Sequence, residues 1–424
     1  MLDLRAIRAN PEPFRAALRR RGAEEDLDRV LTLDEKWRAL TAHVERLRAE
    51  QNEGSRRVGA ADPSERQGLI QRLREVSDEL KKTEPELAQL QEEVERVAIA
   101  IPNIPDDTAP DGQSDEDNVE VKRVGEPRRF DFEPKDHVAL GESLGMFDME
   151  RGARTSGARF AYLLGPAARL QFALVQYGLA FAEERSLTPV IPPVLVREEA
   201  MFGTGFLPTD EAQIYVTRDD NLYLVGTSEV SLAALHAGEI LDAESLPRRY
   251  VGYSTCFRRE AGSYGKDTRG LFRVHQFDKL EMFSFVSPDD SRDEHERLLS
   301  WEEEFYGSLE IPYRVVNVCT GELGASAAKK YDIEAWLPGQ GRYREITSTS
   351  NTTDYQARRL ECRVRFPDGN RPVHTLNGTL SAIGRTLIAL LENGQQADGS
   401  VQLPEVLRKY LPERDWVLRP NEAE

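Results

Sequence analysis

The sequence predicts an α+β protein in two parts: a long antiparallel α-helical hairpin, then an antiparallel β-sheet domain with flanking helices. Three observations carry this expectation. Apolar residues recur at alternating intervals of three and four through the first quarter of the chain. A stretch of prolines and acids then ends that pattern. Beyond it, short β-type runs follow one another without the βαβ alternation of a parallel sheet.

In the hairpin, Val30, Leu33, Trp37, Leu40, Val44 and Leu47 form one heptad seam. Leu69, Leu73, Val76, Leu80, Thr83, Leu87, Leu90, Val94 and Val97 form a second, with only Thr83 polar. Between them lies NEGSRRVGAADPSER, where Gly54 and Gly59 are expected to break the first helix. Asp62, Pro63 and Glu65 have the residue types of N-cap, N1 and N3 of the next. Two seams that bury each other make an antiparallel coiled coil over about residues 27–99. Helices of roughly 30 and 37 residues would project about 45 to 55 Å. Pro85 falls inside the second series with the seam in phase on both sides, which predicts a mild kink and not a break. An arm of this length suits either dimerisation or contact with RNA, and its spacing leaves both open.

The linker IPNIPDDTAPDGQSDEDNVE has too many prolines and acids for regular structure. It bounds an N-terminal part, residues 1–112, from a second part, residues 113–424. In the second, IYVTRDDNLYLVGT, RRYVGYSTCFRRE and KLEMFSFV read as strands, and RLQFALVQYGLAFAEE reads as a helix.

Composition narrows the function classes. With 39% hydrophobic residues among 424, the chain can bury a substantial core. No apolar run reaches the roughly 18 residues of a membrane helix, and the start, MLDLRAIRANPEPF, is charged where a signal peptide would be apolar. A cytoplasmic protein without membrane contact is expected. Cys256, Cys319 and Cys362 stand far apart and read as buried thiols, giving neither a disulfide framework nor a zinc cluster. His137, His236 and His374 lack ligand spacing, and His275 reads as a hydrogen-bonded structural residue, so no zinc is expected. A net charge of −18 excludes an unselective nucleic-acid coat, so any RNA contact must be local. Arginines do crowd two places, Arg5, Arg8, Arg15, Arg19, Arg20 and Arg21, then Arg46, Arg48, Arg56, Arg57, Arg66, Arg72 and Arg74. By default such runs are solvated helix faces.

Neither a GxxxxGK[ST] loop nor a GxGxxG turn after a strand is present, so a bound nucleotide would need another architecture. The most informative stretch is STCFRREAGSYGKDTRGLFRVHQFDKLEMF, two strand-like ends around a Gly-rich loop. Arg258 and Glu260, two apart on one strand face, would set a guanidinium beside a carboxylate, the first suited to a phosphate and the second to an adenine amino group. Taken alone, such a pair is more often a surface ion pair.

FRRE resembles motif 2 of the class II aminoacyl-tRNA synthetases, and the longer string with SYGKDTRGLFRVHQFDK resembles the seryl-tRNA synthetases of bacterial type. RSLTPVIPPVLVREEAMFGTGFLP is similar to the dimer-forming motif 1, LVGTSEV to the serine-binding TxE element, and REITSTSNTTDYQARRL to the metal-and-ATP strand. LNGTLSAIGRTLIALLENGQQADGSVQLPEVL is similar to motif 3. The hairpin, the IPN linker and KDHVALGESLGMFDMERGARTSGARF also match, so the likeness covers nearly the whole chain. Ser231 stands where the family usually has proline, Thr352 where cysteine is frequent, and motif 3 reads GTLSAIGR where GSGLAVGR is commoner.

The resemblance implies that the chain activates L-serine with ATP and transfers it to the 3′ end of tRNA(Ser), with selenocysteine tRNA a second candidate. It further implies a homodimer, Mg2+, and an arm that embraces the long variable arm of the tRNA across the dimer. Arg258 should hold the α-phosphate, Glu260 the adenine amino group, Phe277 the adenine ring and Arg385 the γ-phosphate. Arg259, Arg273, Val274, Ile346 and Thr347 complete the implied ATP contacts, and Glu345 and Ser348 would coordinate the metal. Thr227 and Glu229 should bind the α-amino group, with Ser228 between them also in the serine site; Glu281 and Thr379 should read the hydroxyl, and Asn377 should orient that wall. Three rival readings are a drug-insensitive duplicate, an amino-acid ligase that loads a carrier protein, and a decayed regulatory relative. Carrier-loading relatives lack the hairpin, and decay should have struck Arg258, Glu260, Glu281, Glu345 or Arg385, all of which are intact.

Overall fold

The computed structural model describes residues 1–262, 267 and 269–420. Residues 263–266 and 268, within the SYGKDTRG string, and residues 421–424 lie outside the described residues. The chain divides into two units, Met1–Pro102 and Asn103–Glu424.

In the first unit, short helices α1 (Leu4–Ala9) and α2 (Pro11–Arg19) precede the long pair α3 (Glu24–Ala60) and α4 (Pro63–Ala100). Every seam position is buried or half-buried, and Val44, Leu47, Val76 and Leu80 form a thin core with Leu87 against it. Thr83, the polar seam residue, donates its hydroxyl to the Glu79 carbonyl at 3.0 Å, so it leaves no unmet group. Gly54 and Gly59 do not break α3, contrary to the expectation from propensity. A Cβ on Gly54 would stand 2.7 Å from Leu73 Cδ2, so this glycine marks a close approach of the two helices. Tertiary packing there outweighs a propensity cost of about 1 kcal/mol. Pro63 occupies the first turn of α4, while the Asp62 side chain makes no cap bond and its carbonyl accepts the Glu65 and Arg66 N–H groups. Pro85 lies inside an unbroken α4.

The second unit opens with residues read as linker but held by hydrogen bonds. The Asn103 Nδ2 donates to the Ser326 and Thr352 carbonyls at 2.9 Å each, and the tail of the acidic stretch becomes strand β1 (Val119–Val124). β1 is an edge of the main sheet, whose other strands are β2 (Thr188–Val190), β3 (Arg248–Phe257), β4 (Gln276–Val286), β5 (Tyr313–Asn317), β6 (Lys329–Leu337), β7 (Arg342–Thr353) and β8 (His374–Ala382). Their spatial order is β1-β5-β6-β7-β8-β4-β3-β2, antiparallel throughout except for the parallel β2–β3 edge. The run Ile214–Thr227, expected as a strand, is mostly loop. Tyr223–Leu224 pairs in a two-stranded sheet with Leu195–Val196, and Val216 makes a single antiparallel bridge to Tyr223. The TRDD segment interrupts its alternation with charges that favour turns.

The helices of this unit that bear on the site are α5 (His137–Ser143), α6 (Pro166–Glu183), α7 (Glu229–Ala234), α8 (Ser291–Ser308), α9 (Tyr355–Arg359) and α10 (Ile383–Gly394); Met149–Ser156 and Glu198–Thr204 are also helical. β4 shows how the sheet is used. Leu280 and Met282 join Leu170, Leu174, Leu298, Phe305 and Leu387 in the main core with α6, α8 and α10. The alternate residues Phe277, Lys279 and Glu281 line a cavity on the other face. Among the described residues no helix is long and apolar enough to cross a membrane.

Candidate active site

The open face of the sheet carries a cavity of about 530 Å3. Of the residues predicted from sequence, Thr227, Glu229, Arg258, Glu260, Arg273, Val274, Phe277, Glu281, Glu345, Ile346, Thr347, Ser348, Asn377, Thr379 and Arg385 all line it. Ser228 and Arg259 do not. Ser228 is fully buried beside α7, and Arg259 turns away with its backbone N–H on the Gln213 carbonyl at 2.9 Å.

Arg258 and Glu260 are not strand neighbours as expected, because β3 ends at Phe257, opposite Gln276. The Arg258 N–H donates to the His275 carbonyl at 3.0 Å, and His275 Nδ1 donates back to the Arg258 carbonyl at 2.8 Å. Glu260 then takes a left-handed backbone conformation, φ +49°, and its carboxylate pairs with Arg273 across the loop. Arg258 Nε donates to the Gly226 carbonyl at 3.1 Å, and its guanidinium carbon lies 5.2 Å from the Phe277 ring centroid. An arginine and an aromatic face are thereby fixed side by side.

On β7, Glu345 and Ser348 are an odd number of positions apart, so regular alternation would send them to opposite faces. A register shift between Ile333 and Glu334, which face Thr347 and Glu345, inserts one extra residue and returns both to the cavity. Arg385, in the first turn of α10, reaches Glu345 with Nη1 3.4 Å from the carboxylate and 3.1 Å from the carbonyl. Burial alone would raise the Glu345 carboxyl, but the charges of Arg385, Lys330 and Arg258 together hold it below the usual carboxylate range.

The deep end of the cavity is built differently. Glu229, at the start of α7, accepts from Gln356 Nε2 at 2.8 Å and Asn377 Nδ2 at 2.9 Å. Burial, and then the neighbouring Glu281 charge, push its carboxyl up to about 7. Glu281 sits opposite Thr379 across the β4–β8 ladder and accepts its hydroxyl at 3.2 Å. Lys279 Nζ pairs with the same carboxylate and donates to Thr379 Oγ1 at 3.4 Å. Lys279, Lys330 and Gln356 are site residues that the sequence reading missed. Lys279 was findable, since period-two alternation puts it on the face of Phe277 and Glu281. Gln356 carried no local signal: it comes from α9 and meets Glu229 only through the fold.

The family model of the tRNA synthetase class II core domain (G, H, P, S and T) matches residues 214–394, and that of the seryl-tRNA synthetase N-terminal domain matches residues 1–105. The chain is 55% identical over 422 residues to a serine–tRNA ligase of Acidothermus cellulolyticus, covering 99% of this chain and 100% of the relative. It is 53% identical to one of Thermobifida fusca, covering 97% of each. Among solved structures it matches a seryl-tRNA synthetase of Pyrococcus horikoshii complexed with ATP, with TM-score 0.92, 41% identity and full coverage of both chains. It also matches a cytoplasmic serine-tRNA ligase of Naegleria fowleri in complex with AMP, with TM-score 0.86, 35% identity and coverage of 97% of this chain and 96% of that one. Joined to a sheet that gathers the motif residues around one cavity, and to a helical pair matched in its own right, these likenesses have one meaning: the chain belongs to the seryl-tRNA synthetase family of serine–tRNA ligases.

Proposed function

We propose that the protein is an ATP-dependent serine–tRNA ligase, cytoplasmic and homodimeric, which forms seryl-adenylate and then passes serine to a 3′-terminal ribose hydroxyl of tRNA(Ser). The observation that carries this reading is the convergence, in one cavity, of a guanidinium-rich end at Arg258 and Arg385 with a carboxylate- and hydroxyl-lined end at Glu229, Glu281 and Thr379.

In the first step the serine carboxylate attacks the α-phosphorus of ATP and pyrophosphate leaves. A carboxylate is already a nucleophile at neutral pH, so the site needs alignment and charge neutralisation, not a general base. Arg258 holds the α-phosphate, Phe277 and Arg385 flank the adenine and the γ-phosphate, and Glu260 meets the adenine amino group. Glu229 in its ionised form pairs with the serine ammonium, and Glu281 and Thr379 accept and orient the side-chain hydroxyl. A hydroxyl-bearing pocket disfavours alanine because its polar groups go unmet, and a tight wall disfavours the extra methyl of threonine.

Mg2+ fits this donor set. It takes one or two protein oxygens and keeps several waters, and Glu345 is held ionised on the same face as Ser348. When bound, the ion supplies positive charge to the phosphate oxygens. In the second step the ribose hydroxyl takes the seryl group and AMP leaves. The helical pair grips the tRNA mainly through phosphates, with Arg56, Arg57 and Arg66 exposed near its turn.

Amino-acid-dependent ATP–pyrophosphate exchange, with serine against threonine, alanine and glycine, tests the first half; exchange that does not favour serine sinks it. Deleting residues 30–97 should abolish tRNA charging and spare serine-dependent exchange. Unchanged charging would refute the role of the arm.

A further inference from the structure

We infer that His137, outside the cavity, is a positioning residue for its nucleotide end: a neutral imidazole that clasps the returning limb of the Arg258–Phe277 loop to helix α10. The inference rests on the nucleotide reading given above.

His137 is the first residue of α5, only 4% exposed, and its neighbour Glu392 on α10 is completely buried. The ring makes two bonds of opposite kind. Nε2 accepts the Leu271 N–H at 3.3 Å, so Nε2 carries the lone pair. The proton therefore sits on Nδ1, which donates to Glu392 Oε1 at 3.1 Å. The same carboxylate accepts the His137 backbone N–H at 3.1 Å on Oε1 and the Gly339 N–H at 2.9 Å on Oε2. Each polar atom of the ring and of the buried carboxylate thus has a partner, and the tautomer is fixed by which partners they are.

The loop is shaped to receive the ring. Gly270 has φ +79°, and a Cβ there would stand 2.1 Å from His137 Nε2. No other residue type fits against the imidazole. The residues that follow enter the cavity. The Phe272 ring lies 4.9 Å from the Arg385 guanidinium carbon and 3.7 Å from that of Arg344; Arg273 pairs with Glu260; and Val274 lines the wall. Glu392 follows Arg385 by about two turns of the same helix. One imidazole therefore links the limb that carries Phe272 and Arg273 to the helix that carries Arg385. Without an acceptor at Nε2, the Leu271 amide loses its partner and the limb loses its fixed distance from α10.

Two variants isolate that acceptor. The amide of His137→Asn reaches the position of Nδ1, keeps a donor for Glu392 and leaves Leu271 unmet. The longer amide of His137→Gln reaches the position of Nε2 and restores an acceptor. In serine-dependent ATP–pyrophosphate exchange, His137→Asn should raise the KM for ATP about tenfold, the worth of one buried hydrogen bond. The KM for serine should stay within about twofold, and His137→Gln should recover most of the loss. Hydrogen exchange of the Leu271 amide in the folded protein should accelerate by about the same factor in the Asn variant alone. An unmoved KM for ATP in His137→Asn, or equal losses in both variants with a lowered Tm and no split between ATP and serine, overturns the clasp. A wild-type chain without serine-dependent exchange would instead sink the reading it rests on, and the clasp with it.

Discussion

On the proposed reading, Glu229 ties substrate binding to stability. Its carboxyl is pushed up to about 7 by burial and by Glu281, from an ordinary value of 4.5. Below the ordinary value both the folded and the unfolded chain carry the proton, so the group contributes nothing to pH dependence. Between the two values the folded chain keeps a proton that the unfolded chain has lost, and stability falls as pH rises, by about 3 kcal/mol once pH passes the folded value. On the proposed reading serine has the opposite preference, because its ammonium would pair with the ionised carboxylate. The KM for serine should therefore fall severalfold between pH 6 and 8 (roughly one unit either side of the shifted value), while the KM for ATP stays level. Glu229→Gln should raise the KM for serine by at least about tenfold, through loss of a charged partner, and flatten both pH profiles. A serine KM that tracked the ATP KM across this range would refute the assignment. At this scale the sequence was informative about residue types and less so about geometry. Arg258 and Glu260 do line one cavity, but the backbone turn at Glu260, and not strand alternation, brings them there.

Elements were legible wherever one periodicity ran uninterrupted. The two heptad seams predicted a helical pair whose outer bounds, about 27 and 99, lie within three residues of the observed ones, because the pattern that buries a seam is the pattern that can be read; α3, expected at roughly 30 residues, runs for 37. Gly54 misled for the complementary reason: propensity is local, while its contact with Leu73 is not; Gly59, with open space where a Cβ would stand, continues the helix without such a contact. The bulge that returns Glu345 to the face of Ser348 is a property of the β6–β7 pair and has no signature in either strand alone. The thinness of the arm core makes a prediction at this scale. Leu80 is 6% exposed within a cluster of only Val44, Leu47, Val76 and itself, with Leu87 alongside. Leu80→Ala should therefore cost about 2 to 4 kcal/mol locally. Hydrogen exchange should speed up across the middle of α3 and α4, tRNA charging should fall, and serine-dependent pyrophosphate exchange should stay at the wild-type rate. Equal loss of both activities would mean that the arm and the catalytic unit are not energetically separable.

For the whole molecule, the open question with the clearest physical handle is the second copy of the chain. The segment RSLTPVIPPVLVREEAMFGTGFLP, similar to the dimer-forming motif of class II enzymes, follows α6 and contains β2. It leaves Ile191 87% and Leu195 44% exposed in the single chain, and Phe172 on α6 is 57% exposed. Single exposed apolar residues are ordinary on a protein surface. A large aliphatic residue so fully exposed, in a short segment rich in proline and next to another, is better accounted for by a partner surface. If the homodimer forms there, a carboxylate at Ile191 would be buried without a counter-charge, at a cost of several kcal/mol per copy. Sedimentation velocity at micromolar concentration should then find a dimer for the wild-type chain and a monomer for Ile191→Asp. The far-ultraviolet circular dichroism should be unchanged, because in the isolated chain the side chain faces solvent. A variant that stays dimeric would place the interface elsewhere, and a wild-type monomer would remove the dimer from the proposal while leaving the chemistry of the cavity intact.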